Sequence, residues 1–500
     1  MHGTHLFKKD DMTNQTKIVE RVFSGPELCG LPAREVVSLL KAGEVTSSEL
    51  LDAAFTRIQM VEPTVNAMPT LCEDRARAAC DRLEKDQLVN GKEPGWLAGL
   101  PIGIKDLTMV EGVLTTYATI GLKDFVPQIS DPLVDRLENR GGIIVGKTNS
   151  PEFGAGGNTF NEVFGSTRNP WDTRKNAGGS SGGAAVSLAT GEVWLSHGSD
   201  LAGSLRTPAG YCGVVGMRPT PGRAAGGSAV AAFLNEATAG PMARDVEDTA
   251  LFLDAMGGYD PRIPLSLTSP SASFQESVSK ADGKVRIAFS EDQNGFAPVE
   301  TEIREVLRNA MTAIEGSYGE VEEACPALDG LHETFVTLRG VFYGTVTDNA
   351  PPEIQKHFKP TLRQNIEFGR NLTAAKIYEA FRNRTTLYHN MRLFLEKYDA
   401  LAIPVVGIEP GMIEEEYPPF VDGEQIVDYV DWLRFSFLSV VTALPSIAIP
   451  VGFTNSGMPV GIQLIGPPNG DARLLQVARA VEEAVKFPRT PIDPIVIQNL

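Results

Sequence analysis

Apolar residues recur every three or four positions across residues 30–62, as Val36, Val37, Leu39 and Leu40 and then as Leu50, Leu51, Ala54, Phe55 and Ile58. That period predicts two amphipathic helices. Gly43 ends the first, and the capping sequence Thr46-Ser47-Ser48-Glu49 opens the second. Helical spacing returns over residues 73–83, 131–140, 245–256, 300–318, most of 331–398 and 471–485. Between these lie apolar runs of strand character at 97–107, 143–148, 284–289, 398–406, 446–451 and 460–465, the last two joined by the turn Asn455-Ser456-Gly457-Met458-Pro459. Helices alternating with buried strands predict an α/β protein. With no long linker, the 500 residues are expected as one main domain. The most apolar window, 435–453, has the length of a membrane span, but Pro445 and Pro450 would interrupt the helix. It reads as a helix, a turn and a buried strand, and no membrane association is expected.

With 42% hydrophobic and 22% charged residues the chain can bury a large core. Its formal charge of −18, from 45 basic and 63 acidic residues, argues against a nucleic-acid partner, whose phosphates it would repel. Cys29, Cys72, Cys80, Cys212 and Cys325 are few, odd in number and scattered. They suggest neither a disulfide framework nor a metal site, and fit reduced thiols in a cytoplasmic protein. The start of the chain is polar, with Lys8-Lys9-Asp10-Asp11 and no apolar signal-peptide core, so residues 1–24 are expected to form a flexible tail.

Three stretches carry chemistry. In Pro101-Ile102-Gly103-Ile104-Lys105-Asp106-Leu107 a lysine interrupts a strand-like run. A buried ammonium is costly, so Lys105 must be paired, snorkelling, neutralised or functional. Gly178-Gly179-Ser180-Ser181-Gly182-Gly183 and Ser199-Asp200-Leu201-Ala202-Gly203-Ser204-Leu205-Arg206 place Ser180 and Ser204 in glycine-rich turns. Such turns either set a hydroxyl beside unpaired backbone N–H groups or form plain surface loops. Residues 184–190 read as a buried helix whose N-terminus faces the first turn and favours negative charge there.

Two further pattern matches fail on context. Gly141-Gly142-Ile143-Ile144-Val145-Gly146-Lys147-Thr148 fits the phosphate-loop pattern, yet a helix precedes it and its would-be loop is made of strand formers. Gly179-Ser180-Ser181-Gly182-Gly183 fits the nucleophile elbow of α/β-hydrolases, but the polar run Asn169-Pro170-Trp171-Asp172-Thr173-Arg174-Lys175-Asn176 stands where a buried strand is required. The downstream histidines His332, His357 and His389 have no distinguishing surroundings.

Taken in order, Ile104-Lys105-Asp106-Leu107, the turn at 178–183, and Asp200-Leu201-Ala202-Gly203-Ser204-Leu205-Arg206 followed by Pro208, Cys212-Gly213-Val214-Val215-Gly216 and Pro219 resemble the amidase signature family. Gly146-Lys147-Thr148-Asn149, Asn169-Pro170-Trp171 and Gly457-Met458-Pro459-Val460-Gly461-Ile462-Gln463 resemble it too. The resemblance implies one domain over 25–500, built on a mixed central β-sheet with α-helices on both faces; the helical region 331–398 is expected either as a substrate-facing layer or as a plain outer layer. It implies Ser204 as the acyl-accepting nucleophile, Ser180 as a bridging serine and Lys105 as the general base. It places an oxyanion hole at the N–H groups of Leu201, Ala202, Gly203 and Ser204, with Ser181, Asp200 and Arg206 as hydrogen-bonding supports. It assigns Phe153, Gly154 and Ala155 to the substrate pocket, where the small side chains of 154–157 suggest room for a bulky acyl or aryl group.

Ala202 stands where many members have glycine, so a position requiring positive φ would be strained there and the hole reshaped. The implied activity is hydrolysis of a small-molecule amide, extending to esters or carbamates, without a metal or organic cofactor, with a homodimer as one open option for the oligomeric state. Two other readings follow from the same residues. One is the amidase component of a tRNA-dependent amidotransferase, which would act on glutamine with a partner; the other is a noncatalytic binding protein of the same fold.

Overall fold

A computed structural model describes residues 22–85, 91, 93–227, 230–281, 284–348 and 350–497. Most of the expected tail therefore lies outside the described residues. Eleven strands form one mixed sheet: β1 (Thr70–Leu71), β2 (Pro101–Lys105), β3 (Ile143–Thr148), β4 (Leu195–Asp200), β5 (Val215–Arg218), β6 (Thr238–Ala243), β7 (Val285–Phe289), β8 (Gly319–Glu323), β9 (Ala400–Pro404), β10 (Ser446–Phe453) and β11 (Pro459–Ile465). Their spatial order is β1-β3-β2-β4-β6-β5-β10-β11-β9-β7-β8. Strand β2 runs parallel to both β3 and β4, with Ile104 opposite His197, whereas β6 is antiparallel to β4 and β5.

The central strands are buried on both faces. In β3, Ile143 and Val145 pack into one core while Ile144 packs into a second, the period-2 alternation of a strand covered on two sides. The stretch that mimics a phosphate loop is thus a core strand, buried at every residue.

The helices begin and end where local chemistry dictates. Ser47–Val65 starts at Thr46, which forms a full capping box with Glu49. Ala33–Ala42 stops at Gly43, whose N–H bonds the carbonyls of Leu39 and Leu40. Within 331–398 the helices are Leu331–Thr347, Pro352–Gln355, Pro360–Arg370 and Ala374–Phe394. Residues 431–453 form a short 3-10 turn (Asp431–Ser436), the helix Phe437–Val441 and β10, and among the described residues no helix is long and apolar enough to cross a membrane.

Strands β4 and β6 have no counterpart in the apolar pattern. Leu195-Ser196-His197-Gly198-Ser199-Asp200 is mostly small and polar, and β6 contains Gly240 and Pro241. Their extended form comes from the neighbours they pair with rather than from their own residues.

Candidate active site

The parallel strands β2 and β4 lie side by side, so their carboxyl ends emerge together. Ligands of α/β sheets bind at such an edge. Lys105 ends β2 and is fully buried. Its Nζ donates to Ser180 Oγ at 2.7 Å and Ser181 Oγ at 2.8 Å, with Ser199 Oγ at 3.3 Å. Lys105 makes no ion pair among the described residues. Burial pulls its pKa down to about 7, and the charge of Asp200 offsets only part of that shift.

Ser180 sits in a turn that only small residues permit. The Gly179–Ser180 peptide is cis. A Cβ on Gly179 would come within 2.8 Å of the Gly156 carbonyl, so the backbone itself forms this contact. Ser181 precedes the helix Gly182–Ala189, and its N–H donates to the Ser204 carbonyl at 3.1 Å. The two serine turns are therefore joined directly.

The second turn is wrapped around one carboxylate. Asp200 accepts the N–H groups of Gly203 at 3.0 Å and Leu205 at 3.1 Å, and the Arg206 guanidinium at 2.8 and 2.9 Å. Burial alone would raise its pKa, but Arg206 and Arg218 hold it well below the usual carboxylate range. Arg206 reaches on to Ser439 Oγ at 2.9 Å and to the Gln463 side chain, tying the turn to the helix Phe437–Val441 and to β11. Ser204 keeps 7% of its surface exposed. The left-handed φ of the turn (90°) falls on Gly203 and not on Ala202, and a Cβ at Gly203 would meet Ser436 and Thr207 at 3.0 Å. Alanine at 202 thus carries no strain. The Gly203 N–H is already spent on Asp200.

The pocket segment is less roomy than its composition suggests. Phe153 stacks on Tyr117 with centroids 5.9 Å apart and meets the edge of Phe358 at 5.2 Å. Gly154 lies against Ser180, where an added Cβ would be 3.4 Å from its Oγ, and Ala155 is fully buried. At Gly157 an added Cβ would sit 2.5 Å from the Trp432 ring, so this small residue serves close packing. Tyr117 and Trp432 escaped the sequence reading because neither lies in a motif and both are far along the chain from the serines. Ser199 was visible only as part of its turn.

Two other buried titratable groups lie nearby without a hydrogen bond to Lys105 or the serines among the described residues. His197 is buried within β4, its pKa lowered to about 3 by burial and by Lys105 and Lys147, and its Nδ1 has no partner among the described residues. Lys147 on β3 is paired with Asp106 at 3.3 Å and donates to Thr115 at 2.9 Å.

The sequence profile of the amidase family matches residues 49–475. The chain belongs to the amidase signature family. It is 34% identical over 481 residues to a glutamyl-tRNA(Gln) amidotransferase subunit of Geobacillus stearothermophilus, covering 91% of this chain and 97% of that protein. Among solved structures it overlays a bacterial aryl acylamidase of the amidase signature enzymes with a TM-score of 0.85 at 26% identity, covering 92% of this chain and 97% of the other. It overlays 6-aminohexanoate cyclic dimer hydrolase in complex with substrate with a TM-score of 0.82 at 26% identity, covering 92% and 98%.

The relatives correct the expectation of an enzyme whose partner is a small-molecule amide and which involves no nucleic acid. The amidotransferase relatives are by name subunits of an enzyme tied to a transfer RNA. A net charge of −18 speaks only for this chain's own surface. One component of an assembly need not touch the nucleic acid on which the whole works.

Proposed function

We propose that this amidase-family chain cleaves a carbon–nitrogen amide bond through an acyl-enzyme on Ser204, with Ser180 and Lys105 as the proton relay. The observation that carries this reading is the fully buried Lys105 amine, unpaired by any described carboxylate and 2.7 Å from Ser180 Oγ. A pKa of about 7 leaves a large neutral fraction at neutral pH, as a general base requires. The neutral amine takes the Ser180 proton as Ser180 takes that of Ser204, and the Ser204 oxygen bonds to the carbonyl carbon. Negative charge builds on the carbonyl oxygen. The N–H groups of Leu201, Ala202 and Ser204 are the donors for it, since that of Gly203 bonds Asp200. The relay then returns the proton to the departing nitrogen as the C–N bond breaks. Water adds to the acyl carbon by the same route and frees the acid.

Hydrolysis of an anilide by Ser204→Ala and Lys105→Ala proteins tests the assignment. Each is expected to lose at least about a thousandfold in kcat/KM with an unchanged circular-dichroism spectrum. Activity retained by either variant would remove that residue from the mechanism. Labelling of the wild type, but not of Ser204→Ala, by a fluorophosphonate separates this reading from a noncatalytic role.

A second reading keeps the chemistry and changes the setting. The 34% identity to a tRNA amidotransferase component over 97% of its length favours a chain that releases ammonia from glutamine within an assembly. Glutamine hydrolysis that appears only with a copurifying protein would establish it. The overlay with two amide hydrolases at TM-scores of 0.85 and 0.82 supports the first.

A further inference from the structure

An arginine removed from water needs an anion close by, because its desolvation is costly and the charge does not titrate away. Several buried arginines of this chain meet that need. Arg57 pairs with Asp493 at 2.7 Å, Arg206 with Asp200 at 2.8 Å and Arg223 with Asp471 at 3.2 Å. Arg339, on the helix Leu331–Thr347, does not. It is 4% exposed and makes no ion pair among the described residues. Its Nε donates to Asn365 Oδ1 at 3.1 Å and its Nη2 to the Tyr429 hydroxyl. Its guanidinium carbon lies 4.6 Å from the Tyr343 ring centroid and 5.2 Å from that of Tyr429. All these partners are neutral.

No carboxylate among the described residues pairs with Arg339, although Asp428 lies on the same groove. Lys359, itself paired with Glu416 at 2.8 Å, stands 5.7 Å from the Tyr429 ring and adds a second cation nearby. Asp428 is committed elsewhere, its Oδ1 accepting the N–H groups of Val430 at 2.8 Å and Asp431 at 3.0 Å. Arg339 also lines a groove of about 340 Å³ with His332, Gln364, Asn365, Asp428 and Tyr429. A guanidinium has five N–H donors. Two are taken by Asn365 and Tyr429, and the Tyr343 hydroxyl, also beside it, accepts at most one more from it. The remaining donors suit the two oxygens of a carboxylate, which a guanidinium fork engages better than a point charge does.

We propose that this groove binds a carboxylate anion, held by the Arg339 guanidinium with the side-chain amide of Gln364, at a site separate from the Lys105–Ser180–Ser204 relay. The carboxylate belongs either to a free small acid or to the far end of a substrate. The hydrogen bonds to Asn365 and Tyr429 and the Tyr343 ring beside it hold the guanidinium in place, so the site is preorganised rather than assembled on binding.

Titration calorimetry of the full chain with malonate, in a constant chloride background, tests the proposal independently of catalysis. The expected result is saturable binding that Arg339→Gln weakens by at least about tenfold and Arg339→Lys weakens less, since a point charge survives but the fork is lost. Gln364→Leu, a change at the groove wall, is expected to weaken binding severalfold, and it carries the test should Arg339→Gln fail to fold. No saturable binding, equal binding by the wild type and both Arg339→Gln and Gln364→Leu, or equal displacement by chloride overturns the proposal. The two sources are told apart on the same variants. A free acid binds equally well to fluorophosphonate-blocked protein. A substrate carboxylate shows as a KM raised by Gln364→Leu for a carboxylated amide and not for its methyl ester.

Discussion

Lys105 shows what one residue costs and supplies. Its amine titrates near 10.4 in an unfolded chain and at about 7 when buried in the fold. Below pH 7 the folded state must hold a charged, buried ammonium, and the penalty is on the order of 4 to 5 kcal/mol. As pH rises from about 7 towards the unfolded value, the unfolded chain binds the extra proton, so the penalty fades. Lys105→Met is therefore expected to melt at a higher temperature than the wild type at pH 6, with the gap closing by pH 10, as thermal denaturation at the two pH values would show. The same neutral amine is what the proposed mechanism requires of a base. The rate of the acylation step is expected to rise with pH through about 7, and a pre-steady-state burst that ignores pH between 6 and 8 would exclude Lys105 as the base. Asp200 has the opposite character. Its charge is met by Arg206 and Arg218 and its oxygens hold the turn that carries Ser204. Asp200→Asn leaves two buried guanidinium groups without an anion, with an expected loss of about 3 to 5 kcal/mol by urea denaturation together with loss of activity.

At the scale of elements, legibility follows from where the stabilising contacts lie. Helices stabilised by their own period and caps were readable: Thr46 and Glu49 mark the start of Ser47–Val65 in sequence and in structure. Thr46→Ala is expected to cost about 1 kcal/mol, read from chemical denaturation. Strands β4 and β6 were not readable, because the small polar residues of β4 and the Gly240-Pro241 pair of β6 are held extended by β2 and β5 on either side. The relay shows the same division. Ser180, Ser204 and Lys105 drew notice as a hydroxyl in a glycine turn or a charge in an apolar run. Their convergence depends on β2 and β4 lying parallel with shared register, which no local pattern encodes. Small residues misled in the pocket segment for a related reason. Composition records the absence of a side chain at Gly157 but not the Trp432 ring that fills the space. Gly157→Ala is accordingly expected to destabilise by about 1 to 3 kcal/mol, through displacement of Trp432, and to raise KM more than it lowers kcat.

For the whole molecule, the sheet order decides what can stand alone. Strand β5, from the first half of the chain, lies between β6 and β10, and β10 and β11 come from near the end of the described sequence. Cutting the chain before Ser446 would leave β5 as a bare edge and strip Gln463 from Arg206, beside the nucleophile turn. A fragment ending at residue 445 should therefore aggregate rather than form a folded amino-terminal half. Limited proteolysis of the intact chain should yield one protected core that retains both β2 and β11. The same continuity bears on partners. Lys105, Ser180, Ser199, Asp200 and Ser204 come from a single chain and meet at one edge of one sheet. No hydrogen bond within this group requires a residue from another protein. The chain purified alone is thus expected to hydrolyse an activated anilide and to be acylated at Ser204, whatever assembly it enters. If acylation of Ser204, followed by mass spectrometry, occurs only after a second protein is added, then an element of the site must be ordered by that partner, and the amidotransferase reading prevails.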